Sequence, residues 1–319
     1  MNLVLRTFFC LCIAINFTLQ AQTDSNTYKQ SPLDFKTKTG KLYGTLTLPA
    51  NSKGRLPLVL IIAGSGPTDR DCNNPVMKND AYKKLAIELA NNQIASLRYD
   101  KRGIAASREA GKSEKDLRFT DYVNDVIGWI DFLNSDKRFS EIIVLGHSEG
   151  SLIGMLASRS GVSKYISVAG LSQSADKLLK EQLETMPDDL RARSFSIIDS
   201  LVAGKEVKNT PSQLGSLFRS SVQPYLISWF KENPVQAIAE LKIPLLIVHG
   251  TADLQVKPEE ARLLAAANPR AHLLIIENMN HVLRTITGGQ GENMESYYDA
   301  GRPLSSELVP KICAFIRQN

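Results

Sequence analysis

The chain has 319 residues but only four cysteines, four histidines and two tryptophans. Cys10 and Cys12 lie in an N-terminal apolar run, which leaves Cys72 and Cys313 far apart. That excludes a disulfide framework, and no cysteine or histidine spacing matches a zinc site. Charge of one sign is not concentrated anywhere. Thirty-eight Lys and Arg oppose 33 Asp and Glu, for a net +5 spread without a basic block, so no nucleic-acid surface is expected. With 43% hydrophobic residues, the chain can build a sizeable core and is neither disordered nor fibrous.

The N-terminal run reads as a secretory signal over residues 1–21. Arg6 supplies a thin positive start, Thr7 to Leu19 is mostly apolar, and Leu19-Gln20-Ala21 ends on a small residue before Gln22. The alternative is an uncleaved anchor, although the run is too short to span a bilayer comfortably. Lipid attachment at Cys10 or Cys12 is disfavoured because both lie inside the apolar run. Cleavage would remove Arg6 and lower the net charge from +5 to +4. The expected location is periplasmic or secreted, with no stable membrane insertion afterwards.

After a polar lead-in, Leu33 to Lys38 and Leu42 to Leu48 alternate apolar and polar residues around Thr39-Gly40, predicting an antiparallel hairpin. From Pro57 the pattern changes. Short, nearly continuous apolar runs at 58–62, 94–97, 142–145, 165–168, 245–248 and 273–276 suit strands covered on both faces. Amphipathic stretches lie between most of them, at 81–91, 122–134, 151–159 and 258–267, with a closing one at 305–317. This alternation predicts an α/β fold with a mostly parallel sheet. From 171 to 241 the alternation stops: helical candidates at 175–185, 190–202 and 222–230 are punctuated by prolines and glycine. The expected organisation is an α/β core over 31–171 and 241–319 with a helical cap over 172–240. Ordinary crossover helices with long loops are the alternative.

Gly146-His147-Ser148-Glu149-Gly150 is a G-x-S-x-G pentapeptide between a buried-strand run and a helical run. A strand turning sharply into a helix strains the serine backbone, and the glycines leave room where side chains would collide. A serine hydroxyl is a weak nucleophile near neutral pH, so it needs a base and an acid to orient that base. Such groups gather at the carboxyl ends of strands in open α/β sheets. Asp253 follows the strand ending at Val248, and His281 follows the strand ending at Ile276. Asp100, after Leu97-Arg98-Tyr99, is the rival acid, but it precedes the serine in the chain.

Elimination also favours His281. His147 adjoins the serine and should point away from it, His249 closes a buried strand, and His272 lies at the wrong end of the sheet. The backbone N–H of Glu149 and that of Ser65 or Gly66, in Ala63-Gly64-Ser65-Gly66-Pro67, are the expected oxyanion donors; Pro67 cannot donate. Ser65 is a rival nucleophile, but no helix starts directly after it. Asp69, Arg70, Asp71, Asp100 and Arg102 are expected to pair with one another and brace the surrounding loops, because an unpaired buried charge is costly.

Together with Ala63-Gly64-Ser65-Gly66-Pro67-Thr68-Asp69-Arg70-Asp71, Arg98-Tyr99-Asp100-Lys101-Arg102-Gly103, Asp253-Leu254-Gln255-Val256 and Asn280-His281, the pentapeptide resembles the α/β-hydrolase superfamily. The chain is most similar to its bacterial carboxylesterase and serine-aminopeptidase-like members, over roughly 33–317. The resemblance implies a triad of Ser148, Asp253 and His281, an oxyanion donor from the glycine loop, and action on short acyl esters. Ala105 and Ala106 stand where related sequences often place a glycine.

The expected activity is hydrolysis of small-molecule carboxylic esters through an acyl-enzyme, with no metal or cofactor. A peptidase or amidase using the same triad is the alternative, for which Glu181, Glu184, Asp188 and Asp189 would hold an amino terminus. A non-catalytic binding protein of the same fold is a third reading. Export disfavours an acyl-CoA thioesterase, and a dehalogenase would need a carboxylate at position 148. No sequence feature sets an oligomeric state.

Overall fold

The computed structural model describes residues 23–24 and 27–318, so the leader read over 1–21 lies outside the described residues. The hairpin forms from β1 (Tyr28–Lys36) and β2 (Lys41–Pro49), paired antiparallel along their full lengths. It takes in part of the polar lead-in, because ladder pairing continues to Pro49; Lys29 is exposed, while Gln30 is buried and donates to Thr47 at 3.2 Å. A two-residue strand, Thr23–Asp24, pairs with its outer edge.

The following strands are β3 (Leu56–Ile62), β4 (Ala95–Tyr99), β5 (Phe139–His147), β6 (Lys164–Val168), β7 (Leu245–Gly250) and β8 (Ala271–Ile276). They lie in the order β1-β2-β4-β3-β5-β6-β7-β8, with β2 antiparallel to β4 and all pairs beyond it parallel. The continuous apolar runs follow from burial on both faces. Leu58, Leu60, Ile142, Val144, Leu245 and Ile247 enter one core, while Val59, Ile61, Ile143, Leu145, Leu246 and Val248 enter the other.

Helices α1 (Ala81–Asn91), α2 (Phe119–Asn134) and α3 (Glu149–Ala157) alternate with the strands. Between β6 and β7 the chain is helical: α4 (Ala175–Leu183), α5 (Asp188–Val202), α6 (Gly215–Phe218), α7 (Gln223–Trp229) and α8 (Pro234–Ala239). The chain closes through α9 (Pro258–Ala266), α10 (Gly289–Glu295) and α11 (Leu308–Arg317). Helices α1 and α11 cover one face of the sheet, and α2, α3 and α9 the other. Among the described residues no helix is long and apolar enough to cross a membrane. Cys72 and Cys313 are buried free thiols.

Sheet order brings distant segments together at the carboxyl edge. Ile62 at the end of β3 is in register with Gly146 near the end of β5, so the glycine loop after β3 lies beside the pentapeptide. This is the edge at which the chain reverses its winding direction.

Candidate active site

β5 ends at His147 and α3 begins at Glu149, so Ser148 alone makes the strand-to-helix turn. Its backbone is left-handed (φ 55°, ψ −123°), a conformation costly for a residue with a β-carbon. The turn closes because its glycines lack side chains. A β-carbon at Gly146 would collide with the Gly150 carbonyl, and one at Gly150 with the carbonyls of Ile62 and Ala63. Gly146→Ala is therefore expected to destabilise the fold by about 1–3 kcal/mol or more. Thermal unfolding checks this, and an unchanged midpoint would contradict the packing argument.

Ser148 is half-buried and opens on a cavity of about 690 Å³ that is also lined by Ser65, Gly66 and Glu149. Glu149 occupies the first position of α3, where a backbone N–H has no acceptor within the helix. The expected oxyanion residues thus border the same cavity as the serine.

Asp253 and His281 meet through a 2.8 Å hydrogen bond from His281 Nδ1 to Asp253 Oδ2. A carboxylate only accepts, so Nδ1 carries the proton and Nε2 keeps its lone pair. The second Asp253 oxygen accepts the N–H groups of Gln255 at 2.8 Å and Val256 at 3.0 Å. Burial raises the Asp253 carboxyl, but the charge and hydrogen bond of His281, the Val256 N–H and the charge of His249 outweigh it. The net position is below the usual carboxylate range.

His281 follows the edge strand β8, so its loop must cross the ends of β7 and β6 to approach β5. Gly250 permits the crossing: a β-carbon there would run into the Met279 carbonyl, which accepts the Ala252 N–H at 3.0 Å. Asn280 stiffens the loop by donating to Asn293 (2.9 Å) and Ser296 (2.7 Å) and accepting the Arg284 N–H at 2.9 Å. The loop is then tied to the elbow by His147, whose Nε2 donates to the His281 carbonyl at 2.9 Å. The His147 and His281 rings lie 4.7 Å apart, centroid to centroid. No hydrogen bond joins the Ser148 hydroxyl to His281, which bonds instead to Asp253 and His147.

His147 is therefore a strut. Because Nε2 donates, Nδ1 accepts, and it takes the Tyr82 hydroxyl at 2.8 Å; that hydroxyl oxygen in turn accepts the Gly64 N–H at 3.2 Å. One neutral imidazole thus links the histidine loop to the glycine loop. Burial, helped by the charge of His281, pushes its pKa down to about 3. An unfolded chain binds this proton near pH 6.5, so the strut's contribution is intact above that value and is lost as pH falls toward 3. Urea midpoints should drop between pH 6.5 and 4 more steeply for the native chain than for His147→Gln. Equal slopes would contradict this protonation state.

The other sequence candidates lie elsewhere. Asp100 accepts from the Arg70 backbone (2.8 Å), the Arg70 guanidinium (2.6 Å) and the Ala106 N–H (3.1 Å), so it braces loops. Arg98 pairs with Asp71 at 2.6 Å, as loop bracing requires. Arg102 departs from the expected set and pairs with Asp125 of α2, which reaches it across the loop. Both are buried, so Arg102→Met, which strands the Asp125 charge, should cost about 3–5 kcal/mol in urea unfolding. Ala105 adopts φ 42°, a left-handed conformation that favours glycine. His249 is fully buried and directs Nε2 to the Val256 carbonyl (2.9 Å), while His272 is exposed on β8.

Sequence reasoning missed two residues in the cavity wall. Lys101, next to Asp100, directs Nζ to the Gly64 carbonyl at 2.6 Å and to Glu149 Oε2 at 2.9 Å. Tyr225 of α7 donates its hydroxyl to Glu149 Oε1. Lys101 was legible only as a charge at a strand's carboxyl end, and Tyr225 carried no signal. The rest of the wall is largely apolar, with Leu171, Leu178, Leu217, Leu226, Trp229 and Val256 among its residues.

A strained serine between strand and helix, with an acid–histidine pair folded back to it on a sheet of this order, defines an α/β hydrolase. The chain has the α/β-hydrolase fold and is similar to esterases and to serine aminopeptidases of the S33 family. The serine aminopeptidase (S33) family matches residues 77–191. Esterase EstD of Thermotoga maritima is 22% identical, the match covering 97% of this chain and 72% of EstD. Among solved structures, Est1E of Butyrivibrio proteoclasticus aligns with TM-score 0.59 and 17% identity over 90% of this chain and 99% of its own. A hypothetical protein of Pseudomonas aeruginosa, PA2218, aligns with TM-score 0.61 and 16% identity over 91% and 94%.

Proposed function

We propose that this esterase-type hydrolase cleaves carboxylic esters of small molecules through an acyl-enzyme on Ser148. The observation that carries the reading is the Asp253–His281 hydrogen bond, held at the elbow by the His147 strut. His281 Nε2 takes the Ser148 proton as the hydroxyl attacks the ester carbonyl, and Asp253 stabilises the imidazolium. In this reading His281 Nε2 accepts the Ser148 hydroxyl when substrate is bound, since catalytic hydrogen bonds often tighten in the substrate complex. The N–H of Glu149 and that of Ser65 or Gly66 receive the developing oxyanion. His281 then protonates the departing alcohol, and a water that it deprotonates releases the acid.

The match to serine aminopeptidases makes peptide hydrolysis the competing reading. An aminopeptidase must hold a substrate ammonium, and both carboxylates lining the cavity are already engaged. Glu149 is taken by Lys101 and Tyr225, and Glu114 by Arg219 and Ser221. Glu181, Glu184, Asp188 and Asp189 are not among the residues lining that cavity. The lining is apolar enough for an acyl chain, and its volume accommodates acyl and alcohol portions together. Helices α4 to α8 are read as its cap. The signal read over 1–21 supports export, which N-terminal sequencing of protein from the culture fractions would test.

A nitrophenyl ester panel graded by acyl length, run beside an aminoacyl nitroanilide, tests the assignment. The best ester should exceed the anilide in kcat/KM by at least about tenfold, or about 1.4 kcal/mol. Preference for the anilide would overturn it in favour of a peptidase.

A further inference from the structure

In the cavity wall sits a buried ion pair that stability alone does not account for. Lys101 and Glu149 are 1% and 4% exposed, and their charges are 2.9 Å apart. Removing two charges from water costs several kcal/mol per ion, and such a pair often contributes no more than well-packed apolar residues would. Its partners suggest another role. Lys101 Nζ donates to the Gly64 carbonyl at 2.6 Å and sits 4.9 Å from the centre of the Tyr122 ring. The Gly64 carbonyl and the Ser65 N–H are opposite edges of one planar peptide. Gripping the first fixes the direction of the second. The Gly64 N–H, in the preceding peptide, donates to the Tyr82 hydroxyl, so Gly64 is anchored on both sides of its α-carbon. The other arm of Lys101 grips the side chain of Glu149, whose own backbone N–H is the second donor read for the oxyanion.

We propose that Lys101 is a positioning residue that sets the separation and aim of the two oxyanion donors, and that Tyr225 extends this clamp to α7 through Glu149. The inference rests on the serine-hydrolase reading and assigns Lys101 no contact with substrate. Because the lysine is neutralised by Glu149, it acts through geometry, and through polarisation of the Gly64–Ser65 peptide by a charged donor. The effect belongs to the transition state, where the carbonyl oxygen moves into the hole and gains charge.

The test is the double variant Lys101→Met/Glu149→Gln. It removes both charges together, strands neither, and keeps an acceptor for Tyr225. Losing one well-placed oxyanion donor costs about 10²–10³ in kcat, so kcat should fall about 100-fold, with KM for a short nitrophenyl ester changed by less than about threefold. Affinity for a trifluoromethyl ketone, whose adduct on Ser148 places an oxyanion in the same hole, should fall by a similar factor. A structural role alone would lower the melting temperature without this split. A folded double variant with kcat within about threefold of the native chain, or with undiminished ketone affinity, overturns the inference.

If the double variant does not fold, Tyr225→Phe carries the test. A fall in kcat of about threefold or more at constant KM supports the clamp, and unchanged kcat overturns it. Fluorophosphonate labelling of the native chain separates the two levels. Absence of an adduct on Ser148 defeats the serine-hydrolase reading and the clamp with it, whereas labelling at Ser148 with an indifferent double variant defeats the clamp alone.

Discussion

Ser148→Ala is expected to lower kcat on a short nitrophenyl ester by about 10⁴–10⁶-fold while leaving the fold intact, since removing a nucleophile leaves only binding and oxyanion stabilisation. The size of the loss follows from the site. Position 148 is the only residue of the strand-to-helix turn, its side chain opens on the cavity, and the cavity is bordered by the candidate N–H donors. Ser65, the rival nucleophile in that wall, is not followed directly by a helix, and its carbonyl is held by Thr68 at 3.3 Å. A Ser65→Ala variant should therefore keep activity within about tenfold of the native chain. Active-site titration alongside the steady-state rate distinguishes lost chemistry from lost protein. Retained turnover in Ser148→Ala would remove the nucleophile from the account.

Asp253→Asn should cost about 10⁴ in kcat, with little change in KM or in circular dichroism. The argument is one of tautomers. Asp253 accepts from His281 Nδ1 and, through its other oxygen, from two backbone N–H groups. Those N–H groups require an oxygen, so an asparagine must turn its NH₂ toward the imidazole. The ring would then accept at Nδ1 and carry its proton on Nε2, where it cannot receive one from serine. Loss of the charge also removes the partner that stabilises the imidazolium. A decline of less than about 10² would mean that another group orients the base. His249 cannot supply that role, since its Nε2 is committed to the Val256 carbonyl.

Much of this site was legible in the sequence because local pattern encodes it. Period and apolarity mark strands buried on both faces, and the pentapeptide between strand and helix marks the elbow. Catalysis at the carboxyl ends of strands then points to Asp253 and His281. What the sequence did not reveal depends on contacts between distant segments. The clamp formed by Lys101, Glu149 and Tyr225 joins the end of β4, the start of α3 and α7, and no periodicity links them. Arg102 was expected among the neighbouring loop charges, yet α2 delivers Asp125 to it, a pairing set by how that helix packs. His147 had a plain local reading, as a neighbour pointing away from the serine, and Gly250 had none. Their roles emerge only when the loop bearing His281 folds back across β7. Ala105 shows the opposite case, in which a non-glycine residue adopts a left-handed conformation that its residue type does not announce.

The most direct measurement is the mass-mapped reaction of the purified protein with a fluorophosphonate, comparing the native chain with His281→Ala. The account predicts one adduct per chain, located on the peptide containing Ser148, and a labelling rate at least about 10²-fold slower when the imidazole is gone. An adduct on Ser65, no adduct at all, or equal rates in the two proteins would contradict it.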